Sequence, residues 1–248
     1  MAQQNDRILG IIGGAGVGAA AQLYIDVAAR FRAATTRLPQ IALWNIPLSD
    51  DLERSFLGGG ADASAAAAAE ALVAQAVDRL VDAGATVIAM PCNSLQRVAA
   101  RESERAGLPF VDMIGATVEA VRALEYREAV LLATSTTYAA GHYDGHGVEM
   151  APPPPDQLAE LAALISRLGT GRPPTTRELL DLIERVRRPG ACVVLGCTDI
   201  CGLIDPDTAA AAAVVESLAC LADVAAEALG ARAGREPRLT PERESSVP

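Results

Sequence analysis

Val87-Ile88-Ala89-Met90-Pro91-Cys92-Asn93-Ser94 and Val193-Val194-Leu195-Gly196-Cys197-Thr198-Asp199 are two versions of one pattern. In each, a short apolar run ends on a cysteine, and side chains carrying an amide or a hydroxyl follow it. Such a run, bounded by turn residues, reads as a buried strand of a parallel sheet. A thiol at the end of that strand, where a helix begins, faces unpaired backbone N–H groups and the positive end of the helix dipole. The setting is expected to lower the thiol pKa from about 8.5 and give a usable thiolate. Two such sites predict one proton-transferring group on each face of a substrate carbon.

Working outward, residues 8–12 read as a first strand stopped by Gly13-Gly14, with a helix over 19–34 and a second strand over 41–46 ended by Pro47. A loop with Gly58-Gly59-Gly60 precedes a helix over 64–82, where Leu72, Ala76 and Leu80 share a core-facing stripe with Val73, Val77 and Val81. Gly84 stands where a helix C-terminal glycine belongs. Residues 87–90 form the strand that delivers Cys92, with a helix to about 101, a short strand over 110–113 and a helix over 116–124. The second half repeats the logic: a strand over 129–133 opens into Thr134-Ser135-Thr136-Thr137, and a strand over 192–195 delivers Cys197.

The expected fold is therefore α/β, with two pseudo-symmetric lobes. Each lobe is an open, mainly parallel sheet flanked by helices, and ligands bind at the strands' carboxyl ends, in the cleft between lobes. Residues 1–115 with 210–230 make the lobe carrying Cys92, and 116–209 the lobe carrying Cys197. Pro152-Pro153-Pro154-Pro155 reads as a stiff extended connection, and 231–248 as a mobile tail.

Composition excludes several classes. A formal charge of −10 argues against nucleic acid, which needs a basic footprint. No stretch reads as a signal peptide or membrane span. Five cysteines without a secretory signal suit a reduced cytoplasm better than a disulfide framework. Cys192, Cys201 and Cys220, on apolar or helical segments, read as inert buried thiols. The sequence has no lysine, which closes pyridoxal phosphate chemistry and the P-loop alike, and no cofactor is expected. Gly14-Ala15-Gly16-Val17-Gly18-Ala19 formally satisfies a dinucleotide-binding fingerprint, but the second strand ends Asn45-Ile46-Pro47 without the acid that would hold a ribose. His142 and His146 are four apart. Gly141, Gly145 and Gly147 oppose a helix there, no third metal ligand is evident, and the pair reads as a solvated loop.

Cofactor-free removal of an α-proton from an amino acid needs a base near the carbon and hydrogen bonds that offset the carboxylate's charge. Asn93, Ser94 and Thr198, with the N–H groups beside them, are candidates to hold that carboxylate between the thiols. The glycines around Gly14 and Ala15 let further backbone N–H groups approach it.

With these residues in view, the chain resembles the aspartate/glutamate racemases, whose members carry Pro-Cys-Asn-Thr and Gly-Cys-Thr-Glu strings on pseudo-symmetric lobes. The counterparts are Pro91-Cys92-Asn93-Ser94 and Gly196-Cys197-Thr198-Asp199, supported by Gly10-Ile11-Ile12-Gly13-Gly14-Ala15-Gly16 and by Leu132-Ala133-Thr134-Ser135-Thr136-Thr137. The resemblance implies a cofactor-independent racemase of a small amino acid, with Cys92 and Cys197 catalytic and no metal. It also implies that Thr134 and Thr137 touch substrate and that the protein is a homodimer. Ala15 and Val17 replace the family's usual Met and Pro, and Ser94-Leu95-Gln96 replaces Thr-Ala-His. Aspartate-specific relatives use an arginine and a lysine on the side-chain carboxylate; here only an arginine is possible, and Arg54 is the candidate, with a solvated loop arginine as its other reading. The departures bear on substrate more than on the cysteine pair. Maleate isomerase-like, hydantoin racemase-like and decarboxylase chemistries would use the same cysteines differently. A non-catalytic small-acid binding protein would keep the lobes and the cleft.

Overall fold

A computed structural model describes residues 7–49, 51–52, 63–168 and 174–231. Two parallel sheets form the frame. The first has strand order β2-β1-β3, with β1 (Ile8–Gly13) central, β2 (Gln40–Asn45) on one edge and β3 (Val87–Ala89) on the other. The second has order β5-β4-β6-β7, built from β4 (Glu128–Leu132), β5 (Glu149–Ala151), β6 (Ala191–Leu195) and β7 (Val214–Glu216). Pairings such as Leu9↔Val87 and Val130↔Val193 run parallel, and the central strands β1 and β6 are buried nearly throughout. Continuous apolar runs suit such strands because helices cover both faces.

The helices are α1 (Val17–Thr35), α2 (Ala63–Asp82), α3 (Gln96–Arg105), α4 (Met113–Ala123), α5 (Ser135–Ala139), α6 (Pro155–Arg167), α7 (Thr176–Val186), α8 (Pro206–Ala211) and α9 (Ser217–Ala228). Gly84, at φ 83°, ends α2: its N–H reaches the Val81 carbonyl, and that of Ala85 reaches Leu80. This paired bonding is why glycine belongs there. The buried stripe of α2 is Ala69, Val73, Ala76, Val77 and Leu80, whereas Val81 is 41% exposed.

Three sequence expectations change. No strand forms over 110–113; a single bridge pairs Phe110 with Ile88, and the Asp112 carboxylate then accepts the Gly115 N–H at 3.0 Å to start α4. The capping acid turns the chain out of the sheet. Pro155 opens α6 rather than extending the connection, since a proline in the first helical turn forfeits no hydrogen bond. Residues 214–216, grouped above with the first lobe, pair with β6 in the second sheet, and the following α9 packs on both α1 and α4.

The sheets share one core. Leu9, Ile11, Leu23 and Val27 belong to the same buried cluster as Val130, Leu132, Val193, Leu195 and Leu221. Alanines at the buried face of α9 (Ala222, Ala225, Ala226) face a helix whose own buried residues include Ala19 and Ala20. Small side chains let helix axes approach closely, so the lobes are joined by packing as well as by chain. Arg54, the triple glycine at 58–60 and the tail over 232–248 lie outside the described residues. Among the described residues no helix is long and apolar enough to cross a membrane.

Candidate active site

β3 stops at Ala89, so Met90, Pro91 and Cys92 leave the ladder with carbonyls that need partners. Gln96 donates from Nε2 to the Met90 carbonyl at 2.6 Å and to that of Cys92 at 3.3 Å, while its Oε1 accepts the Met113 N–H. Cys92 is 8% exposed and caps a single 3₁₀ turn over Asn93–Leu95.

The next two side chains reach into the other lobe. Asn93 donates from Nδ2 to Ser217 Oγ at 3.1 Å and accepts the Tyr143 hydroxyl on Oδ1 at 2.6 Å. Its amide is thus held on both sides. Ser94, Thr134 and Thr137 form a triangle of hydroxyls, with Ser94 Oγ 3.0 Å from Thr134 Oγ1 and 3.1 Å from Thr137 Oγ1. Thr134 and Thr137 are themselves 3.1 Å apart, and all three residues are buried. Such a cluster has rotatable donors that can turn together toward an anion. The Thr134 side chain also caps α5 through the Thr137 N–H, which fixes the triangle to its backbone.

Cys197 follows β6 through Gly196, whose N–H donates to Leu132 at 2.8 Å. A Cβ on Gly196 would stand 2.5 Å from Leu131 Cδ1, so any side chain there would force Leu131 to shift. The thiol is 6% exposed, and its pKa is raised well above that of an ordinary thiol. Burial is the first cause and the Asp199 carboxylate the second, outweighing a hydrogen bond from the Asp199 backbone. This corrects the expectation of a lowered pKa. The predicted backbone donor is present, but desolvation dominates.

The opening loop closes over the second motif. A Cβ on Gly16, at φ 86°, would lie 2.3 Å from Asp199 Oδ1, and one on Gly14 would lie 2.2 Å from the Ile46 carbonyl. Both positions need glycine for space and for conformation. Ala15 between them is half-buried. Thr198 directs its hydroxyl away from solvent, to the Pro91 carbonyl at 2.8 Å. A cavity of about 310 Å³ opens beside this turn, lined by Gly18, Gln22, Thr198, Asp199 and Leu218 among others.

Thus Cys92, Asn93, Ser94, Thr134, Thr137 and Thr198 lie in one hydrogen-bonded region that adjoins Cys197. Sequence reasoning missed Tyr143 and Ser217 and misread His142. That histidine is buried, with Nε2 3.3 Å from the Ser94 carbonyl, and burial with nearby Arg97 lowers its pKa. Its signal was the glycine spacing: Gly141, Gly145 and Gly147 all take positive φ and turn His142 and Tyr143 inward. Among the described residues no His/Cys/Asp/Glu group is arranged to hold a metal.

The fold matches solved structures along nearly its whole length. A candidate Asp/Glu racemase from Yersinia pestis aligns with a TM-score of 0.72 at 22% identity, over 90% of this chain and 99% of the other. The aspartate racemase of Picrophilus torridus gives 0.68 at 22%, over 91% and 95%. Arylmalonate decarboxylase gives 0.55 at 19%, over 91% and 94%. At these identities the likeness establishes the two-lobed fold. The sequence itself matches the family model for Asp/Glu/hydantoin racemases over residues 12–225. The chain belongs to the Asp/Glu/hydantoin racemase family.

Proposed function

We propose that this racemase-family enzyme is a cofactor-independent amino-acid racemase, with Cys92 and Cys197 as its opposed acid/base pair. The observation that supports it is the junction of the two motifs. Thr198, next to Cys197, donates to the carbonyl of Pro91, next to Cys92, and Cys197 senses the charge of Cys92.

In one direction the Cys92 thiolate takes the α-proton and becomes a thiol. The electron pair left on carbon spreads into the substrate carboxylate, and the Cys197 S–H returns a proton to the opposite face, leaving Cys197 as thiolate. The reverse reaction exchanges these roles. A buried Cys197 with a raised pKa suits the protonated starting state. The hydroxyls of Ser94, Thr134 and Thr137, with N–H groups of the Gly14–Ala15 loop, hold the carboxylate and stabilise its growing charge. The Thr198 backbone contributes at the same end, and Asn93, clamped by Tyr143 and Ser217, fixes the Cys92 turn. The substrate is aspartate, glutamate or a related amino acid, with Arg54 facing an acidic side chain.

The working form is a homodimer in a reducing, cytoplasmic setting. Edge strand β2 exposes Leu43 and Trp44, and an open apolar edge is a face that a second copy would cover. Leu43→Glu with Trp44→Glu should turn a dimer into a monomer in sedimentation. A wild-type monomer at micromolar concentration rules the dimer out.

The deciding experiment incubates amino acids in deuterated buffer and follows α-proton exchange and inversion by NMR. Cys92→Ala and Cys197→Ala should each lower inversion by about 10²–10⁴-fold, the usual worth of a proton-transferring side chain. Cys192→Ala and Cys220→Ala should leave it intact. Inversion at the parent rate in either motif variant would overturn the two-thiol reading. Loss of carbon dioxide without inversion would assign decarboxylase chemistry instead.

A further inference from the structure

We propose that Thr198 is a positioning residue whose hydroxyl, bonded to the Pro91 carbonyl, sets the gap between the two thiols. The inference rests on the racemase reading for its kinetic consequence, but not for its geometry. Beyond β3 the carbonyls of Met90 and Cys92 are satisfied within their own lobe: the first by Cys92 N–H and Gln96 Nε2, the second by Leu95 N–H and Gln96 Nε2. The carbonyl between them, on Pro91, points to the other lobe and takes the Thr198 hydroxyl at 2.8 Å. Thr198 is 5% exposed, so water does not readily replace that bond.

The placement matters because of what is adjacent. Pro91 is covalently next to Cys92 and Thr198 is covalently next to Cys197, so the bond spans the cleft one residue from each thiol. Several further bonds from this segment to the second lobe run elsewhere. Ser94 reaches Thr134 and Thr137, Asn93 meets Tyr143 and Ser217, and Arg97 donates to Gly141. Those bonds fasten the Asn93–Arg97 side and do not touch the Cys197 turn. A shift of one lobe against the other stretches the Thr198 bond and the gap between thiols together. The one hydroxyl donor is therefore engaged by protein, and toward a substrate the side chain keeps only its acceptor lone pairs.

Inversion and exchange respond differently to that gap. Inversion needs both thiols within reach of one carbon. Removing a proton and returning one to the same face needs a single thiol. A misplacement of about 1 Å costs on the order of 10²-fold in a reaction that depends on alignment.

The test compares wild type, Thr198→Val, Thr198→Ala and Thr198→Ser, each checked for folding by circular dichroism. In deuterated buffer Thr198→Val should lower inversion at least about tenfold. Same-face exchange should fall far less and KM should hold, while Thr198→Ser restores the parent ratio. An equal fall in exchange and inversion, or a rise in KM alone, would make Thr198 a substrate contact and overturn the proposal. A second measurement needs no turnover: iodoacetamide labelling of each cysteine, read by mass spectrometry. Loosening the bond should speed labelling of both Cys92 and Cys197 in the Val and Ala variants, leaving Cys192 unchanged. Unchanged rates at both sites overturn the proposal whatever the reaction. If wild type exchanges the α-proton of no amino acid, the racemase reading fails, and labelling still decides the role of Thr198. Should Thr198→Val fail to fold, the Ala and Ser variants carry the same comparison.

Discussion

Burial raises the Cys197 thiol pKa most, a neighbouring carboxylate adds to the rise, and local hydrogen bonding opposes both without cancelling them. Asp199 raises the thiol pKa by disfavouring a second negative charge, while its own backbone lowers it. In the proposed mechanism, the enantiomer whose proton Cys197 removes needs that residue as thiolate. Its kcat/KM should therefore still climb with pH beyond the point where an ordinary thiol, of pKa about 8.5, levels off. Asp199→Asn removes the like charge, lowers the Cys197 pKa and moves that limb to lower pH, whereas Asp199→Glu keeps it near the parent position. Profiles measured separately for the two enantiomers decide the point; a limb that does not move excludes Asp199 as the tuning charge. At this scale the cysteine motifs were legible, because an apolar run ending in a small polar cluster is written locally. Tyr143 and Ser217 were not, since no local sequence says which residues across the lobe boundary will meet Asn93.

At the scale of elements, the strands were legible as continuous apolar runs and the long helices as periodic stripes. The misread segments were those where one side chain overrides a run. Asp112 converts residues 110–113 from a strand into a helix entry, and Pro155 starts α6 where four prolines suggested an extended arm. The packing of α9 on both α1 and α4 was not legible for a related reason: its apolar faces suit two neighbours, and periodicity does not name them. Leu221, fully buried in α9, belongs to the core shared by both sheets. Leu221→Ala should cost about 2–5 kcal/mol, the range for emptying a packed leucine site. Leu124→Ala, at a position 52% exposed, should stay within about 0.5 kcal/mol. Urea titration of both variants checks the contrast. A loss of less than about 1 kcal/mol at Leu221 would mean the lobes do not depend on this helix.

For the whole molecule, charge and fold together constrain the substrate. The chain carries a net charge of −10 and has no lysine, so an acidic substrate side chain entering a water-poor cleft must meet an arginine. An unpaired carboxylate there would cost several kcal/mol. Among the described arginines beside the site, Arg97 already donates to the Gly141 carbonyl from an exposed position. Arg54, proposed above for that role, is the arginine to test. If the substrate is aspartate or glutamate, Arg54→Ala should raise KM by at least about tenfold, equivalent to 1.4 kcal/mol. Arg54→Lys should recover part of the loss, since an ammonium keeps the charge without the guanidinium's paired donors. The check is a substrate panel run on all three proteins. Unchanged kinetics in Arg54→Ala, with a neutral amino acid turning over faster than aspartate and glutamate, would remove the acidic side chain from the reading. Cys92 and Cys197 would keep their proposed roles, because the proposed α-carbon chemistry rests on the two thiols and the hydroxyl triangle rather than on the side-chain pocket.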